Sequence, residues 1–464
     1  MRILPEVKPT AEQLPILHDT RPGVVLIKGA AGSGKTTTAL MRLKHLCDYW
    51  QKRKLRNGDT EAVRVLVLTF NQTLEGYIEA LAAQQVATGD SLHLEVSTFA
   101  KFAWELIDHK LNVDDVAAKA ILRGLCNSFG DDVEFLMGEV EYLMSRFEPA
   151  SLEDYETVRR EGRGLSPRME TATRRRLLDD VVYPYIALKS TMKIADWNDL
   201  ALAAGKVQGK PWDVIVVDET QDFSANQMRT VMNQIGEDYS VTFVMDSAQQ
   251  IYPRWFTWKE AGVTLVDTYT LASNHRNTRE IAAFALPIIT GLTIGTNGAL
   301  PNLSATTASG PKPVVLEGKH GDQVRYAIAN IVDKANLTDE SVVFLQPWGK
   351  GWFREIKKQL DKNSVPWVSL QAQSEWPGGD ETVAISTFHS AKGLEFDHVI
   401  ILGLTDEVTP HGDEANDSQL ESLRRLVAMG IGRARKTVTL GYKPEDASTL
   451  VDYLDPATFT KVVL

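Results

Sequence analysis

The run Gly29-Ala30-Ala31-Gly32-Ser33-Gly34-Lys35-Thr36 follows a short apolar stretch, Val24–Ile27, and precedes a segment with helical patterning, Thr36–Trp50. Two glycines with four residues between them, then lysine and a hydroxyl residue, between a strand and a helix, is the arrangement that cradles a phosphate chain. The glycines let backbone N–H groups turn inward on the phosphates, and the helix N-terminus adds its dipole. Lys35 is expected to neutralise the outer phosphates, Thr36 to ligate Mg²⁺, and Thr37 to lie in the same cradle. A second apolar run, Val214–Val217, ends in Asp218-Glu219-Thr220-Gln221-Asp222. An acidic pair at the carboxyl end of a strand stands where α/β sheets bind ligands. Asp218 is expected to hold Mg²⁺ through water, and Glu219 to orient and deprotonate an attacking water. The two motifs together point to hydrolysis of a nucleoside triphosphate, although Asp218 lies far downstream of Lys35.

The elements that must bring them together are legible as alternating patterns. Val24–Ile27, Val63–Leu68, Val214–Val217, Val241–Met245, Val342–Leu345, Val383–Ile385 and Val399–Leu402 read as buried parallel strands. Helical patterns such as Thr36–Trp50 and Trp352–Asn363 lie between them, which implies doubly wound α/β layers. The block from 101 to 195 lacks β-rich runs and reads as helical, as in Val113–Ser128 and Val133–Arg146. The expected division is a discontinuous first domain over 1–100 and 196–265, a helical insertion over 101–195, and a second α/β domain over 266–464. Gly291–Pro313, rich in Gly, Pro, Ser, Thr and Asn, reads as a loop of the second domain.

A chain of 464 residues is long enough for several cores. Its net charge of −11 argues against a nucleic-acid coat protein but leaves room for a local cationic groove. The arginines Arg159, Arg160, Arg163, Arg168, Arg174, Arg175 and Arg176 are one candidate for such a groove, the alternative being a solvated helical face. The two cysteines, Cys47 and Cys126, sit in helix-like surroundings without neighbouring ligands and read as buried thiols. No long apolar run suggests a membrane span, and the start, Met1 to Thr10, has no apolar signal segment, which points to the cytoplasm.

Taken in order, the motifs resemble those of the UvrD/Rep family of superfamily 1 DNA helicases. Thr10-Ala11-Glu12-Gln13 resembles the glutamine motif, in which Gln13 reads the adenine of ATP. Thr69-Phe70-Asn71 and Ser97-Thr98-Phe99 resemble two elements that touch single-stranded DNA. Asp246 to Tyr252 is similar to a motif whose Gln249 senses the γ-phosphate and whose Tyr252 meets DNA, with Trp255 close behind. Asn274-His275-Arg276 resembles the segment that brings Arg276 to the γ-phosphate, with His275 where an aromatic ring stacks on the base. Thr387 to Phe396 is a close match to the fifth motif: Glu395 beside Gly393 on the ribose side, and Thr387 and His389 on the DNA side. Arg424 to Arg435 resembles the sixth, which makes Arg433 a second arginine finger. The fold implied is two RecA-like P-loop domains, each a doubly wound parallel sheet, with the helical insertion in the first.

These roles agree with the chemistry. Phosphoryl transfer is mostly positioning and charge stabilisation, and arginines supplied by a second domain tie hydrolysis to domain motion. Aromatic faces such as Phe70, Phe99, Tyr252, Trp255 and Trp258 suit sequence-independent contact with bases. The chain departs from the family at Met245, His275, Ala100, Tyr252-Pro253-Arg254-Trp255 and Gly432, the last a glycine where the family has threonine before the finger arginine. Only Gln371 to Asp380 and their neighbours separate the strand around Pro366–Leu370 from that at Val383, so the large helical subdomain found there in bigger relatives has no room. The expected activity is an ATP-driven translocase or helicase on single-stranded DNA, moving 3′ to 5′. The alternative is a nucleic-acid-sensing or remodelling ATPase subunit of a repair or defence complex.

Overall fold

The strands arise where β-branched and leucine residues run without polar interruption. Gly23–Gly29 (β1) is buried from Val24 to Ile27 and Val63–Thr69 (β2) along nearly its whole length, as strands covered on both faces must be. With Leu92–Thr98 (β3), Trp212–Val217 (β4), Ile235–Met245 (β5) and Leu265–Leu271 (β6) they form a six-stranded parallel sheet in the order β3-β2-β4-β5-β1-β6. The coordinates are a computed structural model that describes residues 9–29, 32–69, 75, 79, 91–130, 132–160, 169–245, 256–271, 273–292, 306–347, 350–370, 381–409 and 418–464.

Asn274–Thr278 (β7) and Thr306–Ala308 (β8) pair as a small ribbon. The second large sheet has seven strands: Val314–Glu317 (β9), Val342–Gln346 (β10), Trp367–Ser369 (β11), Val383–Thr387 (β12), Phe396–Ile401 (β13), Ala434–Tyr442 (β14) and Thr460–Val463 (β15). Their order is β11-β12-β10-β13-β14-β9-β15, and every pairing is parallel. Two parallel sheets with helices against them make the α/β architecture expected from the alternation of patterns.

The helical block is present, with helices at Asp115–Phe129, Val133–Arg146, Thr171–Leu177 and Tyr183–Met192. They enclose their own core, built around Leu122, Cys126, Val140, Leu143, Leu177 and Val181. Its chain enters and leaves through a neck in which Val113 pairs with Ala195, and Ala195 N–H donates to the Asn112 carbonyl at 2.8 Å. Two expected boundaries move. Phe99, Phe102, Ala103 and Ile107 pack into the core of the first sheet, so the insertion starts beyond the helix Phe99–Leu106 and not at residue 101. Leu265–Leu271 pairs with β1, so the first lobe runs past 265. The loop expected over 291–313 contains β8, whose short polar sequence gave no strand signal.

Both cysteines are buried free thiols, and burial pushes Cys47 up to about 12 and Cys126 up to about 11. Among the described residues no helix is long and apolar enough to cross a membrane.

Candidate active site at the junction of two lobes

The phosphate cradle is built by the end of β1 and the start of the helix Lys35–Arg56. Gly34 caps that helix in the left-handed region at φ 77°, and a Cβ there would lie 2.9 Å from Gln13 Nε2. Only glycine allows both the turn and this approach. Among the described residues no side chain caps the helix, and a helix N-terminus of this kind favours an anion. The buried Ser33 hydroxyl has no protein partner, and a Cβ on Gly29 would collide with it at 2.4 Å. A cradle at a helix N-terminus, with a buried hydroxyl that has no partner among the described residues, fits a phosphate chain. Gln13 is buried, and its Oε1 accepts from the Thr10 N–H at 2.9 Å, which fixes the amide beside the cradle. Ala30 and Ala31 lie outside the described residues.

Thr36, in the first turn of the helix, donates its hydroxyl to Asp218 Oδ2 at 2.9 Å and lies 3.2 Å from Oδ1. The fold thus joins the two expected metal ligands across 182 positions of sequence. Burial, and then the charge of Glu219, push the Asp218 carboxyl up to about 7, against the pull of the Thr36 hydroxyl. A hydroxyl and a buried carboxylate short of positive charge suit a hard dication that takes its remaining ligands from phosphate and water. No larger cluster of His, Cys, Asp and Glu suited to a metal occurs among the described residues.

Glu219 stands at φ 51°, a left-handed conformation that costs a residue with a Cβ about 1–3 kcal/mol. The next three residues, Thr220–Asp222, form a tight helical turn, and Thr220 donates to the Val217 carbonyl at 3.0 Å. Gln221 donates to the Glu219 carboxylate. Burial works against ionisation of Glu219, but the charges of Lys392, Arg433 and Lys35 outweigh it and hold the carboxyl below its ordinary value.

Two of these three cations come from the second lobe. Lys392 follows β12 and Arg433 precedes β14. Lys392 is buried; its ammonium pairs with Asp222 and lies 3.8 Å from Glu219 Oε2. Arg433 is 2% exposed, which excludes the solvated surface role open to any single arginine. Gln221 and Asp222 stand in the acidic motif and Lys392 within Thr387 to Phe396, but the motifs assign none of them a role. A lysine in the otherwise small and apolar stretch Ala391 to Leu394 was the available signal, but its partner lies 170 positions away.

Gly393 adopts φ 84°, and Glu395 lies two residues beyond it, half-buried. His275 and Arg276 lie on β7, next to the segment that carries Arg433, and their side chains are outside the described set. Gln249 also lies outside the described residues.

The expected DNA-contacting residues divide. Thr69 and Thr98 stand side by side at the carboxyl ends of β2 and β3, in register and buried. Thr98 accepts from the Lys101 N–H at 3.3 Å and so caps the next helix. Thr387, at the carboxyl end of β12, accepts from the Ser390 N–H at 3.2 Å, and His389 beside it is exposed. Phe70, Asn71, Tyr252 and Trp255 lie outside the described residues. Phe99 is a correction: it is 3% exposed and packs edge-on against Phe223 at 5.9 Å, so its ring serves the core and offers no face to a base. Trp258 likewise stacks on buried Phe243 at 5.3 Å.

Four described members of the arginine series have partners within the insertion. Arg160 forms two 2.7 Å bonds to buried Glu139, Arg174 donates to the carbonyls of Met169, Tyr155 and Val158, and Arg175 and Arg176 pair with Asp179 and Asp180. Arg160 and Arg174 hold the insertion together, Arg175 and Arg176 lie on a solvated helical face, and Arg163 and Arg168 lie outside the described residues.

Fold and site together define a P-loop nucleotide-binding protein with two stacked α/β lobes. Residues 13–254, more than half the chain, match the AAA domain family, and residues 368–445 match the UvrD-like helicase C-terminal domain. The chain belongs to this AAA domain family and, with the second match, to the UvrD/Rep-like superfamily 1 helicases. It is 23% identical to the ATP-dependent DNA helicase UvrD2 of Mycobacterium tuberculosis, over 90% of this chain and 76% of the relative. It is 40% identical to the ATP-dependent DNA helicase Rep of Buchnera aphidicola, over 24% of this chain and 15% of the relative. It is 38% identical to the ATP-dependent DNA helicase PcrA of Bacillus subtilis, over 15% and 10%.

Proposed function

We propose that this protein hydrolyses ATP in the cleft between its lobes and uses the cycle to move 3′ to 5′ along single-stranded DNA. One observation carries the reading: Lys35 of the first lobe, and Lys392 and Arg433 of the second, converge electrostatically on Glu219. Gln13 and His275 hold the adenine, Gly393 and Glu395 the ribose side, and the turn from Gly29 to Thr37 the phosphates. Thr36 and Asp218 hold a magnesium ion, which supplies charge neutralisation at the phosphate oxygens. Glu219 orients a water for in-line attack and accepts its proton. Arg276 and Arg433 meet the charge that develops on the transferred group, with Gln249 reporting the γ-phosphate. Because the fingers ride on the second lobe, the site is complete only when the cleft is closed, and hydrolysis releases it.

The DNA path runs over the carboxyl ends of the strands, where Thr69 and Thr98 of one lobe and Thr387 and His389 of the other lie. Phe70, Asn71, Tyr252 and Trp255 are assigned to the same path by their motif positions. The test is the ATP hydrolysis rate with and without single-stranded DNA, followed by strand displacement on duplexes tailed at either end. The expected result is a rate stimulated by DNA and displacement only from a 3′ tail. Stimulation with no displacement on either substrate selects a remodelling ATPase that works within a larger assembly. Binding to DNA should also weaken steeply with salt, as contacts to the phosphate backbone do.

A further inference from the structure

Asn277 directly follows Arg276 on β7 and is 3% exposed. Its side-chain amide donates one bond to the Gly432 carbonyl at 3.1 Å and one to the Ala434 carbonyl at 2.6 Å. Those carbonyls bracket Arg433. We infer that Asn277 is a positioning residue that clamps the Arg433 backbone against the strand carrying Arg276, so that the Arg433 finger reaches the nucleotide. The inference rests on the proposed role of Arg433 in hydrolysis and adds a residue to it.

The physical case has three parts. An amide nitrogen has two donors in a fixed fork, and here both are used on one turn, so the backbone torsions on either side of Arg433 are restrained together. The turn needs that restraint. Gly432 has no side chain to limit its torsions, and it occupies the position before the finger arginine. The turn is also tied by backbone bonds: Gly432 N–H to the Ala428 carbonyl at 2.9 Å, Arg433 N–H to the Gly430 carbonyl at 3.1 Å, and Phe396 N–H to the Arg433 carbonyl at 3.0 Å. These anchor the turn to the helix before it and to β13, whereas the Asn277 bonds anchor it to the strand that carries Arg276. Finally, the clamp is buried, so water competes poorly for the two carbonyls and their loss leaves unsatisfied acceptors.

The test compares Asn277→Ala and Asn277→Asp in the wild-type chain and in an Arg433→Ala background, at saturating single-stranded DNA. The aspartate variant keeps the shape but sets carboxylate oxygens against two carbonyls. Both should lower kcat for ATP by on the order of 10- to 100-fold, the scale of a misplacement of about 1 Å, with KM and nucleotide affinity held within about twofold. In the Arg433→Ala background neither should lower the rate further, which a merely structural role would still do. Wild-type kcat in both variants, or an equal further loss in the Arg433→Ala background, overturns the clamp. If Arg433→Ala alone hydrolyses ATP at the wild-type rate, the finger role fails and the clamp falls with it. A slow Arg433→Ala beside a fast Asn277→Ala removes only the clamp. Thermal melting confirms that each variant is folded, and the aspartate variant decides the matter if alanine fails to fold.

Discussion

Two buried glutamates in this chain live in opposite circumstances. Glu139, in the helical insertion, is fully enclosed and satisfied by near neighbours: Arg160 reaches it twice at 2.7 Å and Tyr155 donates at 2.6 Å. These partners come from the same subdomain, and its backbone is not in the left-handed region. Glu219, in the cleft, sits on a left-handed backbone beside Asp218, a second carboxylate that burial pushes up to about 7. Its compensating cations come from both lobes. The first arrangement is closed and holds a fold together. The second draws its charge balance from both lobes, and in the function proposed above this dependence lets chemistry follow domain motion. Local strain and charge that cannot be settled locally mark the working site.

The largest effect expected from breaking this contrast is on the cleft. Lys35→Ala should abolish ATP hydrolysis while the chain stays folded, read as turnover together with a melting curve. Normal turnover would remove the cradle assignment. Next is the insertion: Glu139→Ala strands Arg160 without its partner in the interior, which should cost about 3–5 kcal/mol in denaturant unfolding. The folded fraction should keep its hydrolysis rate, and a lost rate at full folding would erase the distinction between the two glutamates. Lys392→Met should lower kcat by on the order of 10²-fold by loosening the junction at Asp222 and Glu219. Adding Asp222→Asn should restore stability, because the stranded buried charge is gone, but not rate. Full recovery of both would make Lys392 a structural residue like Arg160.

The smallest effect lies behind the first sheet. There Arg21 and Tyr269, both donating to it, hold the Asp19 carboxyl down near about 2 against its burial. A carboxyl lowered in the folded state adds stability above its unfolded value and loses it as pH falls through the folded one. Asp19→Asn should therefore cost on the order of 1 kcal/mol near neutrality, discounted because Arg21 is exposed, and the gap should close between about pH 4 and pH 2. A pH-independent gap would exclude the ion pair as its cause.

Much of this was legible in the sequence, for identifiable reasons. Strands buried on both faces leave uninterrupted apolar runs, so β1, β2, β4, β10, β12 and β13 could be read directly. The helix Val133–Arg146 was read to the residue because Asp132 caps it and its apolar period is regular. Strands with polar sequences, such as β6 and β8, gave no such signal. The cradle and acid pair were legible because their chemistry demands contiguous residues. Lys392, Asp222 and Asn277 were not, since their partners lie on the other lobe or more than 150 positions away. Phe99 misled because a motif aromatic at a strand end can turn either to a base or into the core, and spacing cannot tell these apart.

The account stands or falls on whether the second lobe completes the site of the first. The most direct measurement is single-turnover ATP hydrolysis by Arg433→Ala at saturating single-stranded DNA, with nucleotide affinity taken on the same preparation. The predicted result is affinity close to wild type and a hydrolysis rate lower by on the order of 10³-fold or more. A rate equal to wild type in a folded protein that binds nucleotide would contradict it.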